Sequence, residues 1–272
     1  MSTHQGNASV VVSGAGEGIG RAIAEELAEQ GWAVVGLEIN SAAAQDATAA
    51  LMGRGSVIVG DSSDRRALAE AVRQAESLAP LAGWVNNAAF GPQAALDQTD
   101  DALLDRVIDV NIRGYFWGAA AAVQSFLDSE TGGAIVNISS VHGRFGFAGW
   151  AAYDVSKGAV ESLTRYLAVE YGPFGIRANT IAPGAIATPN HERVIAGSDD
   201  PEEARRQLAS APPLRRVGKP KEIAKLTAFL LCEDAAYITG QSIAVDGGLS
   251  AACMPSEPSA ELRLKERKPG PP

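Results

Sequence analysis

Short apolar runs alternate along this chain with longer stretches in which apolar residues recur every three or four positions. Most of the short runs are nearly continuous in hydrophobic residues, which is typical of strands buried on both faces of a parallel sheet. They predict strands at 8–13, 33–38, 56–60, 83–86, 134–139, 176–181 and 242–245, and the longer stretches predict helices near 18–30, 41–52, 64–78, 100–128, 151–171 and 220–232. The alternation predicts an α/β fold, a single-domain doubly wound parallel sheet with helices on both faces.

Two stretches interrupt this alternation. Residues 189–215 are polar and charged and contain four prolines, which predicts a mobile loop with a short helix, of the kind that forms a lid over an active site. Residues 252–272 are rich in proline and charge, which predicts a disordered tail. We therefore expect one folded domain over residues 1–251 that includes the lid.

Composition narrows the class of protein. With 46% hydrophobic residues among 272, the chain can bury a sizeable core, and its net charge of −9 argues against nucleic acid and anionic membranes as partners. Cys232 and Cys253 stand in no metal or redox spacing and are interpreted as a core thiol and a tail thiol. The first residues lack the charged and apolar regions of a signal peptide, and the most apolar stretch, 115–123, is about half a membrane span. We expect a soluble, cytoplasmic protein.

A glycine-rich turn joins the first predicted strand to the first predicted helix, from Gly14 to Gly20. Such a turn lets backbone N–H groups approach a pyrophosphate at the positive end of the helix. Dinucleotide-binding folds place an acid about 20 residues after the glycines to bind the ribose 2′-hydroxyl, and Glu38 stands at about that distance. A carboxylate there repels a 2′-phosphate, and neither Ala15 nor the two residues after Glu38 offer a cation. The segment predicts a nucleotide site that prefers NAD to NADP.

Tyr153 and Lys157 are one turn apart in the predicted helix 151–171, and the serine pair Ser139–Ser140 precedes them at the end of an apolar run. Side chains at i and i+4 share a helix face, so the lysine cation can lie beside the phenol and favour its ionised form. Moving a phenol pKa from ~10 to about 7 takes roughly 4 kcal/mol, which one charge at ~4 Å supplies at an effective dielectric constant of ~20. The spacing also occurs by chance, as a half-buried tyrosine with a solvated lysine, so it indicates a proton-transfer pair only together with other motifs.

In this order, the segments resemble the classical short-chain dehydrogenase/reductase family from about residue 9 to residue 250. The turn Ser13–Gly20 is similar to the family's Thr-Gly-x-x-x-Gly-x-Gly, and 86–89 is similar to Asn-Asn-Ala-Gly except that Ala89 replaces glycine. The extra methyl group of Ala89 narrows the cofactor wall slightly and is expected to be tolerated. Residues 246–248 resemble the turn that closes the family's last strand. The resemblance implies a Rossmann fold in which residues 1–251 form the NAD-binding catalytic domain.

The resemblance also implies four catalytic residues, Asn111, Ser140, Tyr153 and Lys157. Tyr153 would exchange a proton with the substrate oxygen, Lys157 would lower the pKa of Tyr153 and reach the nicotinamide ribose, and Ser140 would hydrogen-bond the substrate oxygen. Ser140 is chosen over Ser139 because it has the family's spacing to Tyr153. Asn111 would hold a water molecule that links Lys157 to solvent.

The cofactor contacts that the resemblance implies extend from the glycine turn to the segment after the sixth strand. They are Gly14, Glu17, Gly18, Ile19, Gly20, Glu38, Ile39, Asp61, Ser62, Asn87, Ala88, Ala89, Val110, Tyr153, Lys157, Pro183, Gly184, Ile186 and Thr188. No metal is needed for this chemistry, and His4, His142 and His191 form no ligand set.

Five residues are candidates for the substrate pocket, namely Phe90, His142, Phe145, Trp150 and His191, although core packing remains an alternative for the phenylalanines. An aromatic wall suits a moderately apolar or cyclic substrate. The string around His142 resembles that of sugar 1-dehydrogenases and short hydroxy-acid dehydrogenases. However, Trp150 stands where hydroxybutyrate enzymes have a carboxylate-binding lysine, which disfavours a small acid.

The resemblance implies an NAD-dependent oxidoreductase that interconverts a secondary alcohol and its ketone by hydride transfer. The alternative is a 3-oxoacyl thioester reductase, although such enzymes usually have a basic docking surface and prefer NADP. A nucleotide-sensing regulator without activity is a remote alternative, since it predicts loss of Tyr153 or Lys157. The expected partners are a small-molecule substrate and further copies of the chain, assembled as a tetramer or dimer through helices 100–128 and 151–171.

Overall fold

The computed structural model describes residues 8–252. It contains seven strands: β1 Ser9–Ser13, β2 Ala33–Glu38, β3 Gly55–Val59, β4 Leu81–Asn86, β5 Gly133–Ile138, β6 Ile176–Pro183 and β7 Ser242–Val245. Its α-helices are α1 Gly18–Glu29, α2 Ser41–Ala50, α3 Arg65–Leu78, α4 Asp101–Val107, α5 Gly114–Ser129, α6 Ala151–Tyr171, α7 Pro189–Ala196, α8 Pro201–Ser210 and α9 Pro220–Leu231. The predicted tail beyond Ala252, with Cys253, lies outside the described residues, as does His4.

The strands form one parallel sheet in the order β3-β2-β1-β4-β5-β6-β7. The order reverses between β1 and β4, so the loops that leave these two strands diverge to opposite faces. Doubly wound sheets bind ligands in the crevice at such a reversal, outside the carboxyl ends of the strands. The predicted fold is therefore confirmed, and the topology determines where a nucleotide can bind.

Each face of the sheet is covered by its own apolar layer. On one face Ile23 and Leu27 of α1 pack with Ile223 and Leu230 of α9. On the other face α3, α5 and α6 cover the strands, and the large side chain of Trp84 is fully buried there. None of the described helices is both long enough and apolar enough to cross a membrane.

Two predicted segments differ in detail from the structure. The predicted helix 100–128 divides into α4, a π-helical segment Ile108–Arg113, and α5. The lid contains two helices instead of one, because Thr188 and Asp200 each accept a hydrogen bond from a first-turn N–H and each is followed by a proline. Side-chain caps followed by proline at the first helical position favour helix starts even in a polar sequence.

Candidate active site

The glycine turn after β1 forms a tight cradle at the start of α1. Gly14 and Gly18 have φ angles of +65° and +58°, which glycine adopts without strain. A Cβ atom at Gly20 would lie 2.0 Å from the carbonyl oxygen of Gly14, so no larger residue fits there. Glu17, at the N-cap of α1, makes no side-chain capping bond. The first N–H groups of α1 therefore stay available for an anionic group, as pyrophosphate binding at a helix N-terminus requires.

The loops after β1 and β4 are joined by one hydroxyl group. Ser13 Oγ accepts hydrogen bonds from the backbone N–H groups of Asn87 (3.0 Å) and Ala88 (3.2 Å). Asn87 in return donates from Nδ2 to the carbonyl oxygens of Ser13 (3.0 Å) and Gly14 (3.1 Å). Serine in place of the family's threonine keeps the hydroxyl that makes these bonds.

A cavity of about 500 Å³ opens above this turn. Thirteen of the predicted cofactor residues line it, namely Gly14, Glu17, Gly18, Ile19, Glu38, Ile39, Asp61, Ser62, Asn87, Ala88, Ala89, Val110 and Thr188. Gly20 lies directly against Gly14 and Asn87, so it shapes the turn from behind. The residues present thus fit an extended dinucleotide.

Glu38 faces the glycine turn from the end of β2. Its carboxylate oxygens accept hydrogen bonds from the backbone N–H groups of Gly16 and Asn40, each at 3.0 Å. These two bonds hold a negative charge at the rim of the cavity, next to the turn. A 2′-phosphate at this position would meet that charge.

Two arginines that the sequence analysis did not select also line the cavity. Arg106 of α4 forms an ion pair with Asp61 at 3.0 Å, and hydrogen bonds with Ser63 and Arg106 outweigh burial and lower the pKa of Asp61. Arg193 of the lid helix α7 forms an ion pair with Glu17 at 3.0 Å. Both pairs bridge elements far apart in the chain, so no local spacing identifies them.

The segment after β6 leads from the sheet to the lid. Pro183 ends β6, and the N–H of Gly184 donates to the carbonyl oxygen of Val245 at 3.1 Å. Ile186 forms a bridge with Gly218. A Cβ atom at Gly18 would lie 3.2 Å from the side chain of Thr188, so the start of α7 contacts the glycine turn.

Ser140, Tyr153 and Lys157 come together beyond the carboxyl end of β5. Ser140 lies close enough to Tyr153 for its side chain to lower the pKa of the phenol, whereas Ser139 donates to the backbone oxygen of Lys157 at 3.1 Å. The geometry thus separates the two serines, and only Ser140 is directed at the phenol. Lys157 Nζ lies 5.4 Å from the centre of the Tyr153 ring and donates to the carbonyl oxygen of Ile138 at 2.9 Å.

Burial determines the protonation of this pair in the polypeptide. Loss of solvation raises the pKa of Tyr153 to about 12, against the opposing effect of the Ser140 side chain. Burial also lowers the pKa of Lys157 to about 7. The shift of Tyr153 is opposite to the one that the Tyr–Lys spacing predicts, because desolvation of the phenolate is the largest effect and the charge of Asp154 raises the pKa further.

Asn111 lies in the π-helical segment and is fully buried. Its Oδ1 accepts from the N–H of Phe90 (2.8 Å), and its Nδ2 donates to the Phe90 carbonyl oxygen and to Ser156 Oγ, both at 2.9 Å. The side chain thus ties the loop after β4 to α6 and makes no bond to Lys157. A water held by Asn111 next to Lys157 would have to use its backbone.

Aromatic rings surround the phenol on the substrate side. The His142 ring lies 5.2 Å from Tyr153 and 5.5 Å from Trp150, and it stacks at 4.0 Å on Phe147. Asp154 holds this group together, because one of its oxygens lies 2.5 Å from His142 Nδ1 and the other accepts from the Phe147 N–H at 2.8 Å. Phe147 and Asp154 were missed by the sequence analysis, although Asp154 directly follows Tyr153.

The other three substrate candidates lie elsewhere. Phe90 lines the cofactor cavity, and Phe145 is 46% exposed and takes no part in the aromatic group around His142. His191 belongs to the lid helix α7, where burial lowers its pKa and neither ring nitrogen has a hydrogen-bond partner in the part of the chain that the structure describes. Within residues 8–252 no group of three or more His, Cys, Asp or Glu side chains is arranged to hold a metal ion.

Comparison with known proteins agrees with this geometry. Residues 14–250 match a family described as "Enoyl-(Acyl carrier protein) reductase". 2-(S)-Hydroxypropyl-CoM dehydrogenase 3 of Xanthobacter autotrophicus (strain ATCC BAA-1158 / Py2) is 36% identical over 92% of this chain and all of its own length. The chain belongs to the short-chain dehydrogenase/reductase family.

Two further members resemble the enzyme over most of its length. (3R)-3-Hydroxyacyl-CoA dehydrogenase of Rattus norvegicus is 37% identical, with 89% of this chain and 96% of the relative covered. The solved structure of levodione reductase superposes with a TM-score of 0.86 at 32% identity, covering 92% of this chain and all of that one. The chain is accordingly an oxidoreductase of the short-chain family that acts on CH–OH groups of secondary alcohols or on the corresponding carbonyls.

Proposed function

We propose that this enzyme interconverts a secondary alcohol and its ketone with NAD, and that Tyr153 is the acid/base. The observation that carries the proposal is the group formed by buried Ser140 and Lys157 with half-buried Tyr153, at the edge of the sheet where the glycine turn lies. In the reaction of this family the nicotinamide accepts a hydride from the alcohol or donates one to the ketone. The side chains of this chain then have to bind the substrate oxygen and move one proton.

The polypeptide favours a protonated Tyr153, since the pKa of its phenol is raised to about 12. Such a phenol is protonated at neutral pH, so it carries the proton that ketone reduction consumes. For alcohol oxidation Tyr153 has to accept the proton, so its phenolate needs positive charge nearby, from Lys157 at 5.4 Å from the ring and from oxidised nicotinamide. Ser140 holds the substrate oxygen next to the phenol and stabilises the charge that develops there.

NAD is proposed over NADP on the basis of Glu38. Its carboxylate is fixed by Gly16 and Asn40 at the rim of the cavity, where it can accept hydrogen bonds from ribose hydroxyls and repels a 2′-phosphate. Arg106 and Arg193 are the cations on the lining, and each is already paired with an acid. All the predicted cofactor contacts, including Ile186 and Thr188, are proposed to bind NAD together.

For the substrate we propose a moderately apolar or cyclic alcohol. The aromatic group around His142 adjoins a second cavity of about 580 Å³ between the lid helix α8 and the turn after β7. Phe147 belongs to both, and the rest of the lining is largely hydrophobic, with Leu208, Pro212, Leu214 and Leu249 among its residues. Apolar walls of this kind bind apolar substrate substituents.

His142 would recognise a second oxygen on the substrate. A carboxylate only accepts hydrogen bonds, so Asp154 fixes a proton on Nδ1 and leaves Nε2 to form a hydrogen bond with a substrate group. None of the described residues forms a hydrogen bond with Nε2. A hydroxyl group next to the reacting carbon of the substrate can occupy it.

A 3-oxoacyl thioester reductase is the second candidate. It is favoured by the likeness to (3R)-3-hydroxyacyl-CoA dehydrogenase and by the family description. The net charge of −9 gives the surface little attraction for an acidic carrier. Turnover of cyclic alcohols, sugars and oxoacyl thioesters with each cofactor distinguishes the two candidates.

A homo-oligomer, tetramer or dimer, is proposed on the outer faces of the helices near the site. Phe116 of α5 is 49% exposed, and Val155 and Val169 of α6 are 71% and 80% exposed. Apolar side chains grouped on two neighbouring helices are typical of an interface between subunits. The proposed location is the cytoplasm.

Replacing Tyr153 with Phe tests the proposal. General acid/base catalysis contributes roughly 10²- to 10⁴-fold, so turnover should fall by at least a hundredfold. NAD binding, followed by fluorescence titration, should change little because the other proposed cofactor contacts, the glycine turn among them, are untouched. A Tyr153→Phe enzyme with near-normal turnover would show that another group moves the proton.

A further inference from the structure

Tyr115 is a fully buried tyrosine in the first turn of α5, and the sequence analysis gave it no role. Its hydroxyl donates to the carbonyl oxygen of Ile138 at 2.8 Å. The same hydroxyl accepts from Lys157 Nζ at 3.3 Å, and Lys157 also donates to Ile138. Tyrosine, lysine and strand carbonyl thus form a closed triangle at the end of β5.

We propose that Tyr115 is a positioning residue for Lys157, and that its hydroxyl holds the ammonium group in the protonated state and in the place from which it acts on Tyr153. This inference rests on the proposed function of Tyr153 and Lys157. The Nζ atom lies 5.0 Å from the centre of the Tyr115 ring and 5.4 Å from that of Tyr153. Two aromatic rings and two oxygen acceptors therefore replace the water that the buried ammonium loses.

The other polar groups near Lys157 are committed elsewhere. The side chain of Asn111 is bonded to Phe90 and Ser156. Glu161, one turn further along α6, accepts from Arg144 (3.1 Å) and Ser242 (2.8 Å). Of the described hydroxyl groups, that of Tyr115 is the one that contacts Nζ.

Asp154 forms hydrogen bonds with His142 and with the backbone of Phe147. Neither Asp154 nor His142 forms a hydrogen bond with Lys157 among the described residues. The titratable groups that face Nζ are therefore Tyr115 from α5 and Tyr153 from α6. A change in the pH profile after substitution of Tyr115 can be assigned to the Lys157–Tyr153 pair.

The sign of the effect follows from the direction of the hydrogen bond. Because Tyr115 accepts from the ammonium, its hydroxyl favours protonated Lys157. Without that acceptor, Lys157 loses its proton at a lower pH and supports the Tyr153 phenolate less well. The pH at which Tyr153 begins to accept a proton from the alcohol then rises.

Tyr115→Phe removes the hydroxyl and keeps the ring. In alcohol oxidation with NAD, the acidic limb of the log(kcat/KM) profile should move to higher pH by about 1 unit. A hydrogen bond to a charged group contributes roughly 1.5 kcal/mol, which corresponds to about one pKa unit. At pH 7 kcat/KM should then fall roughly tenfold, with less change above the limb. Tyr166→Phe is the matched control, since Tyr166 lines the same cleft between α5 and α6 as Tyr115 and is 54% exposed.

An unshifted profile for Tyr115→Phe, a loss of activity that is equal at every pH, or a shift to lower pH would overturn the proposal. If Tyr115→Phe does not fold, 3-fluorotyrosine at position 115 keeps the shape and weakens the acceptor, and it should move the limb in the same direction by a smaller amount. Tyr153→Phe, measured in parallel, separates the two hypotheses. Retained turnover in that variant refutes the proposed function, whereas an unshifted Tyr115→Phe profile refutes only the role of Tyr115.

Discussion

Replacing Lys157 with Met should stabilise the fold at neutral pH while it abolishes the proposed proton transfer. Lys157 is 1% exposed, and burial lowers its pKa from 10.5 to about 7. The unfolded chain therefore holds a proton on this side chain over a pH range in which the folded chain releases it. Raising the pH from 7 toward 10.5 consequently stabilises the folded wild-type protein.

The magnitude follows from the same shift. At roughly 1.4 kcal/mol per pKa unit, burying this amine costs about 4 kcal/mol at pH 7 and about 2 kcal/mol at pH 9. Methionine removes that cost and leaves the Tyr115 and Ile138 oxygens without one donor, an offset of about 1–3 kcal/mol that does not depend on pH in this range. The advantage of Lys157→Met over wild type should thus shrink by about 2 kcal/mol between pH 7 and pH 9.

Thermal unfolding at the two pH values, at one fixed protein concentration, measures this difference. For a chain of this size it corresponds to roughly 4–8 °C in the relative Tm. Lys225→Met, on the exposed side of α9, is the control and should show no pH-dependent difference. A Lys157→Met advantage that is the same at pH 7 and pH 9 would refute the idea that a desolvated amine is held in the core.

Three further changes test the nucleotide and substrate sites. Glu38→Gln removes the charge and keeps an oxygen acceptor for the glycine turn. The preference for NAD over NADP, measured by fluorescence titration with each nucleotide, should fall at least tenfold, which corresponds to about 1.4 kcal/mol of repulsion. An unchanged ratio of the two affinities would mean that Glu38 does not face the 2′ position. Gly20→Ala would place a methyl group 2.0 Å from the Gly14 oxygen, and should abolish NAD binding, whereas Gly172→Ala, with open space around it, should bind NAD normally. Asp154→Asn should lower kcat/KM roughly tenfold for alcohols with a neighbouring hydroxyl group and less for matched alcohols without one, because His142 loses the partner that orients it; equal losses on both members of a pair would contradict the role of His142.

The sheet could be predicted from the sequence because its strands are short, continuous apolar runs. β2 and β7 have the predicted bounds, and each of the other strands differs from its own predicted bounds by one or two residues at one or both ends. The lid was harder to predict, because its two helices are polar and depend on capping by Thr188 and Asp200. A search for Thr-Pro and Asp-Pro pairs would have identified both starts.

The site residues divide in the same way. Those in local motifs, such as Gly14 and Glu38, are at positions that spacing along the chain can indicate. Tyr115 and Phe147 have no such signal, because the first meets Lys157 across 42 positions and the second depends on Asp154 to hold its backbone. The direction of the Tyr153 pKa shift was also beyond a spacing rule, since it depends on how much water the fold removes.

The π-helical segment Ile108–Arg113 has a consequence for how α5 is oriented. An i→i+5 turn contains more residues than an α-turn, so the segment sets the rotation of α5 about its axis relative to α4. Asn111 and Tyr115 are both buried as a result, one directed to the loop after β4 and the other to Lys157. Regularising these six residues into an α-helix, with none removed, would turn α5 by nearly one residue step of roughly 100° and carry the tyrosine away from the lysine. The segment thus acts as a phase adjustment between two helices, and the loss of its wider turn would be a change in the active site.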